Sequence, residues 1–203
     1  MKKRLMMAAL AVALSGAPLQ AADLEAGEAL ANGVCMACHG QEGNSIVPLW
    51  PKLAGQHPEY IYKQLMDFKT GARENVQMSP QAAPLSEEDM RNVAAYFSLQ
   101  TISEGPPVDR ENLEQGRRLF QAGNPETGVP ACAACHGPKG LGLNLAKFPR
   151  LAGQHQTFVE NSLKQYRSGE RANDPNAMMR GAAASMTDEE IAAVADYIQS
   201  MSY

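Results

Sequence analysis

The chain holds four cysteines, and all four fall in two copies of one short pattern. Cys35-Met36-Ala37-Cys38-His39-Gly40 returns as Cys132-Ala133-Ala134-Cys135-His136-Gly137. C-x-x-C-H is the spacing of c-type haem attachment. Two thiols three positions apart can form thioether bonds with the two vinyl groups on one edge of a haem. The His that follows can then offer an imidazole nitrogen to the iron as proximal ligand. The pattern therefore predicts two covalently bound c-type haems. Cys35, Cys38, Cys132 and Cys135 are the anchors, and His39 and His136 the first axial ligands. A disulfide or a zinc ligand pair shares part of the spacing but leaves the His after each pair without a role. A thioredoxin-like redox pair needs a βαβ context, and no such pattern is present.

Each motif must be held by a fold, and the rest of the sequence is duplicated with it. Pro51-Lys52-Leu53-Ala54-Gly55-Gln56-His57 answers Pro149-Arg150-Leu151-Ala152-Gly153-Gln154-His155. Leu65, Phe68, Gly71, Arg73 and Asn75 answer Leu163, Tyr166, Gly169, Arg171 and Asn173; after a three-residue insertion in the second copy, Leu85-Ser86 answers Met186-Thr187. The periodicity inside each copy is helical. Ile61, Leu65 and Phe68 form one stripe. Met90, Val93, Ala94 and Phe97 form another, matched by Ile191, Val194, Ala195 and Ile198. Ser86 with Asp89, and Thr187 with Glu190, have capping-box spacing. No run alternates with period two. Gly27 and Gly116 sit inside first helices, where Gly costs about 1 kcal/mol against Ala. A close crossing with the last helix, near Tyr96 and Tyr197, would justify that cost. The expected fold is all-α, with an N-terminal domain at 22–102, a Gly-Pro-Pro-containing linker at 103–109 and a C-terminal domain at 110–203. Each copy is small and poor in aromatics, so the haem must supply much of its core.

The repeat also selects the second axial ligand. Met78 lies seven residues before Leu85, and Met179 seven before Met186; they recur at equivalent places, whereas Met178 is out of register. Both are placed on a loop ahead of the last helix. His57 and His155 recur too, which leaves a bis-His arrangement open beside a plain hydrogen-bonding role. Arg73, Arg171, Lys52 and Arg150 either neutralise haem propionates or are solvated surface charge.

Residues 1–21 read as an export leader. Lys2, Lys3 and Arg4 precede the apolar run Leu5–Leu14, and Ala21 or Ala22 ends a small-residue cleavage site. No other apolar run nears membrane-spanning length. Without the leader the chain has 15 basic and 22 acidic residues, a balance that argues against nucleic-acid binding.

With its two C-x-x-C-H motifs, P-[KR]-L-A-G-Q-H after each, and Met78 and Met179, the sequence resembles the dihaem cytochrome c4 family across essentially all of the mature chain. The resemblance implies two class I cytochrome c domains about a pseudo-twofold axis. It implies a periplasmic electron carrier that feeds terminal oxidases; the expected donor is a quinol-oxidising complex or dehydrogenase, met at the membrane surface without a transmembrane segment. A His/Met pair at both irons leaves no open position for substrate, so the residues themselves point to electron transfer rather than catalysis. The competing readings are an electron-transfer subunit of a dehydrogenase, such as a flavocytochrome, and a dihaem peroxidase. Charge divides unevenly: residues 22–106 carry 11 acidic and 5 basic residues, and 107–203 carry 11 and 10. Arg180 follows Met179 where Ser79 follows Met78. Both features predict the higher reduction potential at the second iron.

Overall fold

The computed structural model describes residues 21–108 and 112–202. Residues 1–20, which hold nearly all of the expected leader, residues 109–111 at the linker end, and residue 203 lie outside the described residues. The first half runs α1 (Leu24–Leu30), a π-helical turn (Ala31–Cys35), α2 (Met36–His39), α3 (Pro58–Thr70), α4 (Met78–Ala82) and α5 (Glu87–Ser98). The second half runs α6 (Leu113–Ala122), α7 (Ala133–His136), α8 (Gln156–Ser168), α9 (Met178–Ala183) and α10 (Asp188–Ser200). Among the described residues, strand-like pairing is limited to two isolated bridges, Asn124 with Val129 and Leu143 with Phe148.

In each half the first helix crosses the last, and the long middle helix packs on the last as well. The apolar stripes explain this. Met90, Val93, Ala94 and Phe97 of α5 are buried, as are Ile191, Val194, Ala195 and Ile198 of α10. Both last helices begin with complete capping boxes, Ser86 with Asp89 and Thr187 with Glu190, which satisfy backbone donors that a helix start leaves unpaired. The two glycines mark the crossings. A Cβ on Gly27 would stand 2.3 Å from the Asn92 carbonyl oxygen and 3.1 Å from Tyr96 Cβ. On Gly116 it would stand 2.0 Å from the Ala193 carbonyl oxygen and 2.8 Å from Tyr197 Cβ. The helix-propensity cost of these glycines secures a backbone approach that no other residue permits.

Two features depart from the sequence reading. Met78 and Met179 lie in the short helices α4 and α9 rather than on a loop. The Asn75 carboxamide oxygen accepts from the backbone N–H of Gln77 and Met78 at 2.9 and 2.8 Å, which turns the chain into α4. The halves also enter their Cys motifs differently. In the first, α1 continues through the π turn directly into α2. In the second, α6 stops at Gly123, at φ 72°, and an inserted turn follows. That turn is anchored by Asn124 Nδ2 and Thr127 Oγ1, which donate to Glu190 Oε1 at 2.7 and 3.1 Å.

The halves face each other through the repeated heptapeptide. Gln154 Nε2 donates to the Lys52 carbonyl and Gln154 Oε1 accepts from the Lys52 N–H, both at 2.9 Å. In mirror fashion Gln56 Nε2 donates to the Arg150 carbonyl at 2.9 Å and Gln56 Oε1 accepts from the Arg150 N–H at 2.8 Å. The following histidines extend this clasp: His57 Nε2 meets the Leu141 carbonyl at 2.8 Å, and His155 Nε2 the Ser45 carbonyl at 2.7 Å. The linker is tied to both halves. Lys52 Nζ donates to the Ser103 carbonyl at 2.6 Å and Gln199 Nε2 to the Pro106 carbonyl at 3.1 Å.

Candidate functional site

A single cavity of about 890 Å³ is lined by both Cys motifs, by His39 and His136, and by Met78 and Met179. Its walls are mainly apolar, among them Leu53, Ile61 and Phe97 in the first half and Leu151, Val159 and Ile198 in the second. Cys38 and Cys135 are exposed at its edge, and Cys35 and Cys132 are half-buried. Burial pushes the Cys35 and Cys132 thiols up to about 11, so neither is a ready thiolate of the kind that zinc or disulfide exchange requires. Among the described residues no group of three or more His, Cys, Asp or Glu is placed to hold a metal ion. The two motifs therefore do not join into a four-thiolate zinc site.

Both motif histidines are buried and oriented alike. His39 Nδ1 lies 2.8 Å from the Pro51 carbonyl oxygen and His136 Nδ1 2.9 Å from that of Pro149. A carbonyl only accepts, so Nδ1 carries the proton in each ring and Nε2 keeps its lone pair. Burial holds both rings below the usual histidine range, and the carbonyl contacts only partly offset this. Neutral imidazoles with a protein-held Nδ1–H are what a metal-ligating histidine presents. His57 and His155 instead spend Nε2 on carbonyls of the opposite half; they belong to the clasp and not to a bis-His arrangement.

Met78 and Met179 are half-buried and line the cavity. Met179 packs against the second core, while Met178 beside it is 40 % exposed. Of the four cations named from the sequence, Arg73 and Arg171 come together. Arg73 Nη1, Arg171 Nη2 and Asn173 Nδ2 all donate to Gln64 Oε1, at 2.7, 3.1 and 3.0 Å. Arg171 Nη2 also donates to the Tyr60 hydroxyl at 3.0 Å. Among the described residues neither arginine forms an ion pair with a carboxylate. Burial, and then the neighbouring Arg171, lowers the Arg73 guanidinium to about 10. A buried and a half-buried cation lining one apolar cavity call for an anionic group within it. Lys52 is spent on the linker, and Arg150 Nε points at the Ala152 carbonyl, 3.4 Å away. Arg180 is paired with Asp174, Nε to Oδ1 at 2.8 Å, so its charge is compensated locally and adds little field at the second site. The cavity, the free Nε2 atoms, the paired thiols and the two arginines without a direct ion pair fit haem, a flat apolar macrocycle with two carboxylates.

The cytochrome c family model matches residues 113–202, and the model for cytochrome c oxidase, cbb3-type, subunit III matches residues 22–97. A cytochrome c4 of Thiocapsa roseopersicina is 57 % identical over 184 residues, which cover 90 % of this chain and 95 % of that one. The chain belongs to the cytochrome c4 family. The crystal structure of reduced recombinant cytochrome c4 from Pseudomonas stutzeri superposes with a TM-score of 0.85 at 42 % identity, covering 90 % of this chain and all of the other. A thiosulfate dehydrogenase electron acceptor of Stutzerimonas stutzeri is 41 % identical over 166 residues, covering 80 % of this chain and 76 % of its own. As a cytochrome c4, this all-α protein of two haem domains carries two covalently bound c-type haems and transfers electrons without being an enzyme. Among the described residues no helix is long and apolar enough to cross a membrane.

Sequence reasoning missed the clasp and the Gln64-centred network. Gln56 and Gln154 were visible as repeated letters, but their partners lie 94 and 102 positions away. No local pattern marks such a pair.

Proposed function

We propose that this cytochrome c4 carries electrons in the periplasm between a quinol-oxidising complex or dehydrogenase and a terminal oxidase, each iron held by one His and one Met. Cys35, Cys38, His39 and Met78 serve the first haem, and Cys132, Cys135, His136 and Met179 the second. The domains divide at the strap 103–109, with 22–102 before it and 110–203 after it. The observation that carries the reading is the matched pair of neutral histidines with free Nε2 atoms on a cavity that also takes one register-matched Met from each half. When bound, haem supplies a one-electron iron couple. The residues would do the rest: one His and one Met would hold each iron and leave no place for oxygen or peroxide, and the neutral thioether would favour ferrous iron. Arg73 and Arg171 hold the propionates.

Substitution tests the ligand set. Mass spectrometry should find two haem additions on the chain lacking residues 1–21. Met78→Ala and Met179→Ala should each open one iron to carbon monoxide, and Met178→Ala should open neither. Carbon monoxide binding in Met178→Ala, or none in the other two, would overturn the assignment. The similarity to a thiosulfate dehydrogenase electron acceptor favours a second reading, in which the donor is a soluble dehydrogenase. Faster reduction by such a dehydrogenase than by a quinol-oxidising complex would select it.

A further inference from the structure

The carbonyls that orient His39 and His136 belong to peptide groups gripped from the opposite half. His39 Nδ1–H donates to the Pro51 carbonyl at 2.8 Å. The N–H of that same peptide group is Lys52's, and it donates to Gln154 Oε1 at 2.9 Å. Gln154 returns Nε2–H to the Lys52 carbonyl at 2.9 Å, so one side-chain amide holds Lys52 at both its backbone groups. The second half inverts the arrangement. His136 Nδ1–H donates to Pro149 at 2.9 Å, the Arg150 N–H donates to Gln56 Oε1 at 2.8 Å, and Gln56 Nε2–H returns to the Arg150 carbonyl at 2.9 Å. Lys52 and Gln154 are both buried, so at that pair water cannot stand in for a missing partner; Gln56 is buried and Arg150 half-buried.

We propose that Gln154 is a positioning residue for His39, and Gln56 for His136, so that each domain tunes the axial histidine of the other. This rests on His39 and His136 as the iron ligands. A peptide group transmits polarisation: an acceptor on its N–H pushes electron density onto its carbonyl oxygen. Hydrogen bonds linked in this way strengthen one another by roughly 10–30 %. A stronger acceptor on Nδ1–H makes the imidazole a more basic ligand, and a more basic ligand favours ferric iron. Loss of the glutamine acceptor should therefore raise the potential of the iron in the other domain. A purely mechanical clasp would have no reason to move one potential and spare the other.

The test is a redox titration of the holoprotein, with the two waves assigned through Met78→His and Met179→His backgrounds. Gln154→Met keeps side-chain length and removes all three hydrogen bonds of the side chain, the two to Lys52 and the one that Oε1 accepts from the His155 N–H. It should raise the first-domain wave by about threefold in ferrous-to-ferric ratio, roughly 28 mV at 59 mV per tenfold, and leave the second nearly in place. Gln56→Met should do the reverse. Gln154→Glu keeps an acceptor for Lys52 N–H and adds negative charge, so it should move the first wave down. In the reduced protein, NMR should find faster solvent exchange of the His39 Nδ1–H in Gln154→Met and unchanged exchange at His136. A shift confined to the domain that bears the substitution, equal shifts in both domains, or unchanged His39 exchange would overturn the proposal. Failure of the ligand reading would look different: ferric wild-type protein would lack hyperfine-shifted His39 and His136 ring signals before any glutamine is altered.

Discussion

Replacing Gly116 by Ala adds one methyl group at the tightest point of the second half. The added Cβ would lie 2.0 Å from the Ala193 carbonyl oxygen and 2.8 Å from Tyr197 Cβ. Carbon–oxygen contacts normally begin near about 3.3 Å, so α6 and α10 must part by more than about 1 Å. The carbonyl is main chain inside a helix and cannot rotate away. Separation would also loosen the Phe120–Tyr197 ring contact, whose centroids are 5.5 Å apart. Overpacking of this kind costs about 3 kcal/mol. Replacing a helical Gly returns about 1 kcal/mol. The net loss is about 2 kcal/mol, a fall in Tm of roughly 8–16 °C for a domain of this size. Thermal unfolding of the holoprotein, followed by circular dichroism, measures it. Gly181→Ala is the control, since that position lies in α9 with nothing within 4 Å of the added Cβ; it should be neutral or stabilising by up to about 1 kcal/mol. If Gly116→Ala melts with the wild type, the glycine is tolerated and not required, and the account of the helix crossing is wrong.

Removing the haem should unfold much of the chain. Cys35→Ser with Cys38→Ser, and separately Cys132→Ser with Cys135→Ser, should each cost helical circular dichroism in the altered half, because that half's share of the cavity of about 890 Å³ then has nothing to fill it. Asp174 gives a pH signature. Burial alone would raise its carboxyl, but hydrogen bonds from the Arg180 backbone and guanidinium hold it below the usual range. A lowered folded-state value means that its contribution is complete above the ordinary carboxyl pKa of about 3.9 and is lost as pH falls through the folded value. Asp174→Asn should therefore lower stability at neutral pH and flatten the acid limb of the stability curve, as denaturant titrations between pH 2 and 7 would reveal. The second haem should have the higher potential, since residues 22–106 are the more acidic part. Five charges at ~15 Å in water bound the difference near roughly 60 mV, and raising the salt should shrink it. A first haem with the higher potential at low salt would refute the domain-charge argument.

The legible parts of this fold were those encoded at short range. C-x-x-C-H is complete within five residues, the stripes on α5 and α10 repeat within two turns, and both capping boxes span four positions. Comparing the halves added what neither half could offer alone, namely that Met78 and Met179 are the equivalent pair. The hidden parts are short or span the two halves. Helix α4 has five residues, too few to display a period. The π turn before Cys35 has no composition signal. Arg73 and Arg171 stand out in the repeat, yet their meeting at Gln64 depends on how the halves dock. Arg180 shows the opposite hazard: adjacency to Met179 suggested an electrostatic role that its pairing with Asp174 largely cancels.

The reciprocal grip of Gln56 and Gln154 has the form of a twofold contact between identical subunits, where one patch meets its own copy. In a true homodimer every substitution appears twice, so two such sites are bound to share one environment and one potential. Here both partners lie in one chain, and each can change alone. Lys52 faces the linker where Arg150 does not, Ser79 stands where the other copy has Arg180, and a turn with Asn176 and Ala177 at positive φ precedes only the second methionine. Fusion keeps the symmetric contact and releases the two centres from having to be equal, which is the condition for an electron to have a preferred direction along a molecule whose scaffold has none.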